Sequence, residues 1–317
     1  MARYRTAAQK HGTCYKSQTR FHYRLFHLPV GYSCAKLQKK IQITQNITEI
    51  LYLCTKIQRK SVKSVAISKN QIKFVRQLEH KKFRRSERLF VAEGTKVVGD
   101  LLAHYQPRAI FATSDWIADH QGKYQIQEVT ADELQRVSFL QHPQQVLALF
   151  PIPSSPDISP SSLLPPHSSN LSLALDGIQD PGNLGTIIRI ADWFGITQIF
   201  CSEDTVDAWN PKVVQATMGS IARVNIIYIN LQQFIDSLPP DYPVYGTLLD
   251  GEDIYTQPLT PHGLIVMGNE GNGISPEIRS RVNRRLLIPS YRTDDTAESL
   301  NVAIATAITC AEFRRRK

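Results

Sequence analysis

The sequence has no run of about 18 apolar residues, so no segment reads as a membrane-spanning helix. It has five cysteines, Cys14, Cys34, Cys54, Cys201 and Cys310, and no CxxC pair. Neither a disulfide framework nor a metal site is indicated, and a reducing, cytoplasmic setting fits. GxGxxG and the P-loop pattern are both absent. A dinucleotide oxidoreductase or a P-loop nucleotidase would lack its phosphate cradle. Acid is nearly missing from residues 1–65, where Glu49 stands alone against 13 of the 37 Lys/Arg. That stretch carries +12; the other 24 Lys/Arg against 27 Asp/Glu give −3, which together make the overall +9. The basic character belongs to the extension, so the whole-chain charge says nothing about what the body binds.

Residues 1–65 read as a flexible extension. The same composition also suits an organellar transit peptide or a basic RNA-binding arm. Residues 66–150 read as a small α/β domain. A helix opens at Ser68, a basic turn spans His80 to Arg88, and Leu89-Phe90-Val91 makes a strand. A helix from Thr95, strands over Ala109 to Ala112 and Val146 to Phe150, and a short helix over Asp132 to Val137 complete it. Residues 151–170 hold six prolines and seven serines, the composition of an extended linker. Residues 171–317 alternate near-continuous apolar runs with helical patterns. This predicts a parallel sheet covered on both faces.

Three stretches carry the chemistry. In the first, the strand Leu171 to Leu175 runs through Asp176 to Gly182 into a helix beginning near Asn183. Leu184, Ile187, Ile188 and Ala191 face the core. Arg189 shares a face with Gly182, Gly185 and Thr186. Its guanidinium either leans toward a ligand at the strand end or sits on a solvated surface. In the second, the strand Leu264 to Met267 enters a loop with Gly268, Gly271 and Gly273. Glycine there allows a ligand to approach the backbone closely. Glu270 is a turn-stabilising carboxylate or a site group, and its charge tolerates a cationic ligand better than a phosphate. In the third, Leu286-Leu287-Ile288 is stopped by Pro289. A polar loop with Arg292, Asp294, Asp295 and Glu298 follows, then Ser299, which suits an N-cap. The stripe Leu300, Ala303, Ile304, Ala307, Ile308 and Ala311 predicts the core face of the last helix. Three strand ends with Gly/Asn/Ser-rich turns converge on one crevice, the usual ligand position in an open α/β sheet.

Read together, LDGIQDPGNLGTIIRIADWFGI, VMGNEGNGIS and LLIP…ESLNVAIATAI resemble the three motifs of the SpoU (TrmH-type) ribose methyltransferases of the SPOUT superfamily. KFRRSERLFVAEGTKVV and SFLQHPQQVLALF resemble that family's N-terminal substrate-binding domain. The resemblance covers roughly residues 68–317. It implies a parallel sheet with a C-terminal trefoil knot, S-adenosylmethionine as cofactor, a homodimer, and methylation of a ribose 2′-hydroxyl in ribosomal or transfer RNA. By position it implies cofactor contacts from Gly268, Ile288 and Leu300, and a catalytic set of Asn183, Arg189, Glu270, Ser299 and Asn301. Many members have Met after the proline and a shorter loop, where this sequence has Ser290 to Asp295. Two alternatives share the fold: a catalytically inactive RNA-binding or ribosome-assembly factor, and an RNA base methyltransferase. The intact polar set favours ribose chemistry.

Nine basic residues, counting His80, lie among 69–88, against Glu79 and Glu87. Lys81, Lys82, Arg84, Arg85 and Arg88 are its RNA-binding candidates; the plain alternative is a solvated helix face. The C-terminal run Arg314 to Lys317 either complements the last helix's dipole or touches RNA.

Overall fold

The computed structural model describes residues 66–120, 123–153, 170–291 and 299–315. Residues 1–65, linker residues 154–169, the loop positions Arg292, Asp294, Asp295 and Glu298, and the last two residues lie outside the described residues. So does the 292–298 stretch on which the expected threading of the C-terminal segment depends.

The first sheet has the order β1-β4-β2-β3. It comprises β1 (Leu89–Glu93), β2 (Ala109–Ala112), β3 (Gln127–Glu128) and β4 (Val146–Pro151). β4 runs antiparallel to β1 and β2, while β2 and β3 are parallel. Its helices are α1 (Lys69–Gln77), α2 (Lys81–Glu87), α3 (Thr95–Leu102), α4 (Ser114–Asp119) and α5 (Ala131–Val137). Ser68 and Gln71 form a capping box that starts α1, and Thr130 and Glu133 do the same for α5.

The second sheet has the order β10-β8-β9-β5-β6-β7, and every neighbouring pair is parallel. In chain order it contains β5 (Leu171–Leu175), α6 (Pro181–Trp193), β6 (Gln198–Cys201), α7 (Pro211–Ala216) and β7 (Asn225–Tyr228). Then follow α8 (Leu231–Asp236), β8 (Val244–Asp253), β9 (Gly263–Met267), α9 (Pro276–Arg279), β10 (Arg284–Leu287) and α10 (Val302–Arg315). The central strands β5 and β9 are buried at every position, Ser172 included, as expected of near-continuous apolar strands covered on both faces. β8 runs as far as Asp253, because its outer half pairs with β10 after a register shift.

A continuous apolar cluster joins the two sheets, with Phe90, Ala148 and Phe150 from the first and Leu173, Val213 and Ile265 from the second. The rings of Phe90 and Trp209 lie 4.8 Å apart across this contact. The predicted basic turn at 80–88 is largely the helix α2, and one of its arginines is turned inward. Arg84 is 2% exposed. Its Nε and Nη2 donate to Asp207 Oδ2 at 2.9 and 2.6 Å, and Nη1 donates to the carbonyls of Leu78 and Glu79. Arg84 is therefore no RNA ligand: burial and these bonds use up its donors. Lys81, Lys82, Arg85 and Arg88 remain exposed.

The last helix also departs from expectation. It begins at Val302, and its cap is Asn301, whose Oδ1 accepts from the amides of Ala303 and Ile304 at 3.0 and 3.3 Å. Ser299 lies ahead of the cap. The buried face is Val302, Ala303, Thr306, Thr309, Cys310 and Phe313, whereas Leu300 and Ile304 are 51% and 53% exposed. Thr306 and Thr309 tolerate burial because each hydroxyl donates to a carbonyl four residues back. Arg314 donates to the carbonyls of Phe194 and Gly195, so it ties the end of α10 to the end of α6.

Candidate functional site

The loops leaving β5 and β9 hold each other. Asp176 Oδ2 accepts from the Ser275 amide at 2.7 Å, and Asn269 Nδ2 donates to the Gly177 carbonyl at 2.7 Å. Asn269 also closes its own loop, through paired backbone bonds to Gly273 and a side-chain oxygen that accepts from the Gly271 and Asn272 amides. The turn is so tight that a Cβ at Gly268 would fall 2.2 Å from the backbone of Gly273 and Ile274. Only glycine fits there.

α6 starts at this junction. Asp180 caps it, accepting from the Asn183 amide at 2.8 Å, and Pro181 occupies the first turn where no amide partner is needed. The Asn183 side chain then points across to both other loops. Its Nδ2 donates to Glu270 Oε1 at 2.8 Å, and its Oδ1 accepts from Asn301 Nδ2 at 2.9 Å. Three residues separated by about a hundred positions thus form one chain of hydrogen bonds, and Asn301 serves it while capping α10.

Beside this chain lies a cavity of about 350 Å³ where β9 and β10 end, against the middle of β8. Gly268, Glu270, Ile288, Ser299 and Leu300, all singled out from sequence, line it. Sequence reasoning missed Thr247, Leu248 and Leu249, which lie inside β8, and Arg279. No turn or glycine marks those β8 positions, because the strand runs on past them. Arg279 is paired with Asp250 at 2.5 Å, so among the described residues no unpaired cation lines the cavity to face a phosphate chain. Apolar walls, a backbone cradle and one carboxylate suit an uncharged nucleoside carrying a cationic group. The absent Cβ of Gly268 makes room for the backbone of Gly273 and Ile274 rather than for a ligand.

Arg189 does not line this cavity. Its face of α6 also carries Gly182, Thr186 and Trp193; all are exposed, Trp193 at 84%. Gly185 does not belong to that face. It packs against α7, where a Cβ would fall 2.4 Å from that of Ala216. Among the described residues Arg189 has no hydrogen-bond or ion-pair partner, and no group of three or more His, Cys, Asp or Glu side chains could hold a metal. Cys201 and Cys310 are buried; burial pushes both thiols up, that of Cys310 to about 12. Neither is a thiolate nucleophile at neutral pH.

A parallel α/β sheet with a cavity of about 350 Å³ at its strand ends, beside an Asn–Asn–Glu chain, suits a group-transfer enzyme with a nucleoside cofactor. Residues 170–311 match the SpoU rRNA methylase family, and residues 69–148 match an MRM3-like substrate-binding domain. The chain is 29% identical over 259 residues to the Bacillus subtilis 23S rRNA (guanosine(2553)-2′-O)-methyltransferase RlmP, covering 80% of this chain and all of that protein. A solved TrmH-family RNA methyltransferase from Porphyromonas gingivalis is 40% identical, with a TM-score of 0.70 over 79% of this chain and 99% of its own. The AdoMet-bound rRNA methyltransferase from Sinorhizobium meliloti is 31% identical, with a TM-score of 0.69 over 79% of this chain and 97% of its own. The chain belongs to the SpoU methylase family.

Proposed function

We propose that this protein is an S-adenosylmethionine-dependent methyltransferase acting on a ribose 2′-hydroxyl of ribosomal RNA, and that it works as a homodimer. The Asn301–Asn183–Glu270 chain beside the cavity carries this reading. It gives the motif residues one structural purpose, which a mere binding protein would not need. When bound, S-adenosylmethionine supplies an electrophilic methyl group on a sulfonium centre. Gly268, Ile288 and Leu300 hold it by backbone and apolar contact. Asn183 fixes the Glu270 carboxylate, whose negative charge favours a cationic ligand. The reacting hydroxyl must be held about 3–3.5 Å from its target and aligned, so rigid loops matter more than reactive groups.

Arg189 carries hydrogen-bond donors and no acceptor. It acts by positioning the hydroxyl and by stabilising the negative charge that develops on its oxygen as the hydroxyl proton passes to solvent water. It does not line the cavity of its own chain, so it completes the cavity of a second copy. Trp193, Leu300 and Ile304 are the apolar residues such a contact would cover. Lys81, Lys82, Arg85 and Arg88 hold RNA phosphates and give affinity without sequence choice.

Methyl transfer from labelled S-adenosylmethionine to total RNA, followed by nucleoside analysis, tests the reaction. A 2′-O-methylnucleoside is expected; a labelled base would reject ribose chemistry. No transfer by a protein that still binds cofactor and RNA would favour the inactive RNA-binding factor.

A further inference from the structure

A second cavity, of about 690 Å³, opens in the first sheet where the parallel strands β2 and β3 end and α4 and α5 begin. It has twice the volume of the cofactor cavity and shares no residue with it. Val129, Leu134 and Pro143 give it apolar wall. Its polar lining combines the carboxylates of Asp115 and Glu128, the amides of Gln135, Gln144 and Gln145, and the hydroxyls of Thr113, Ser114 and Thr130. Glu133 also lines it, but its oxygens already accept from the Thr130 and Ile67 amides. Asp115, Glu128 and the two glutamine side chains have no partner among the described residues. Among the described residues no Lys or Arg lines the cavity.

We infer that this cavity holds an unstacked guanine of the RNA, at a position other than the methylated nucleotide. The inference rests on the RNA-methyltransferase reading and adds a specificity site to it. Acid lining excludes phosphate as the occupant. Apolar walls take a base's faces, and its edge needs acceptors and donors placed beside them, as in recognition of splayed single-stranded RNA. Guanine fits best because its N1–H and 2-amino group are adjacent donors that match the two oxygens of one carboxylate. Glu128, half-buried at the end of β3, is that carboxylate; Gln144 and Gln145 at the entry to β4 meet the remaining acceptors. A basic peptide would also suit carboxylates. However, the exposed Lys69, Lys73, Lys81, Lys82 and Arg85 of the same lobe repel one and attract a nucleic acid.

The test is fluorescence anisotropy with labelled oligouridylate, with and without one central guanosine, on the full chain. Wild type is expected to bind the guanosine RNA roughly tenfold more tightly, as one bidentate base contact allows. Glu128→Gln should lose most of that preference while binding plain oligouridylate and S-adenosylhomocysteine normally. Inosine in place of guanosine, which lacks the 2-amino group, should weaken wild type and change the variant little. Gln144→Ala, on the exposed rim, should lose a few-fold. Equal binding of the two RNAs by wild type, or full preference in a Glu128→Gln protein that still binds S-adenosylhomocysteine, overturns the site. Oligolysine binding that is lost in Glu128→Gln would assign the cavity to a peptide and overturn it as well. Methyl transfer without guanine preference sinks this inference alone; no binding of RNA or S-adenosylhomocysteine sinks it together with the function it rests on.

Discussion

Arg84 and Arg189 have the same side chain and opposite surroundings. Arg84 sits in a basic run that reads as an RNA surface, yet it is 2% exposed and bonded to Asp207 and two carbonyls. Arg189 sits in an apolar helix but off its core stripe, and it is exposed with no partner among the described residues. The basic run lends its charge to the joint between the two sheets, and the apolar helix presents a free guanidinium. Local composition says little about which arginine is structural; a partner elsewhere in the chain decides it.

The largest expected effect breaks the first half of this contrast. Arg84→Met leaves Asp207 nearly buried and unpaired, which costs about 3–5 kcal/mol. Thermal unfolding should fall on the order of 10 °C, since each kcal/mol shifts a domain of this size by about 2–4 °C. Adding Asp207→Leu should recover much of the loss. The second half is broken by Arg189→Ala. Turnover should drop roughly 10²- to 10³-fold, as when one donor to a developing oxyanion is removed. Its melting temperature should barely move, because an exposed substitution stays within about 0.5 kcal/mol. If Arg84→Met proves neutral in denaturant titration while Arg189→Ala unfolds the protein, the two roles have been assigned the wrong way round.

Smaller effects sharpen it. Asn301→Asp keeps an acceptor to cap α10 but loses the donor to Asn183. Stability should hold while initial rates fall about tenfold; loss of about 1 kcal/mol, the usual value of a cap, would mean the cap itself was disturbed. Replacing Lys81, Lys82 and Arg85 by Ala should reduce the salt slope of RNA binding by about one for each phosphate no longer neutralised, with no change in melting. Smallest is a pH effect at Glu93. Burial raises its pKa, against hydrogen bonds from Ser138 and the Phe139 amide and the nearby Arg76 charge. A carboxyl raised on folding stabilises fully below its unfolded pKa, and that contribution is lost as pH rises through the folded value. Stability should therefore decline slightly from the ordinary glutamate range upward in wild type, and Glu93→Gln should flatten the decline.

The parallel sheet was legible because β5 and β9 are nearly continuous apolar runs, each followed within two residues by a glycine. The site was legible in part for the same reason: Asn183, Glu270 and Asn301 each sit just past such a punctuated strand or loop. Their mutual hydrogen bonds were not, since no spacing rule relates residues so far apart in sequence. The face of α10 was misread because hydropathy counts Thr306 and Thr309 as polar, while in a helix their hydroxyls bond back to the preceding turn and bury at little cost. Leu300 and Ile304, assigned to the core, are instead exposed near the proposed contact between copies. Arg84 was illegible because its partner lies 123 residues away.

The central claim is that Arg189 of one copy completes the cavity of the other. Arg189→Ala and Glu270→Ala proteins, each assayed alone and then mixed and allowed to exchange subunits, test it most directly. The account predicts that each is nearly inactive alone. The mixture should regain about a quarter of wild-type methyl transfer, because random exchange in a symmetric dimer makes half the dimers mixed, each with one complete site. Mixed dimers that form, as seen by native mass spectrometry, yet recover no activity would place Arg189 in its own subunit's site and contradict the account.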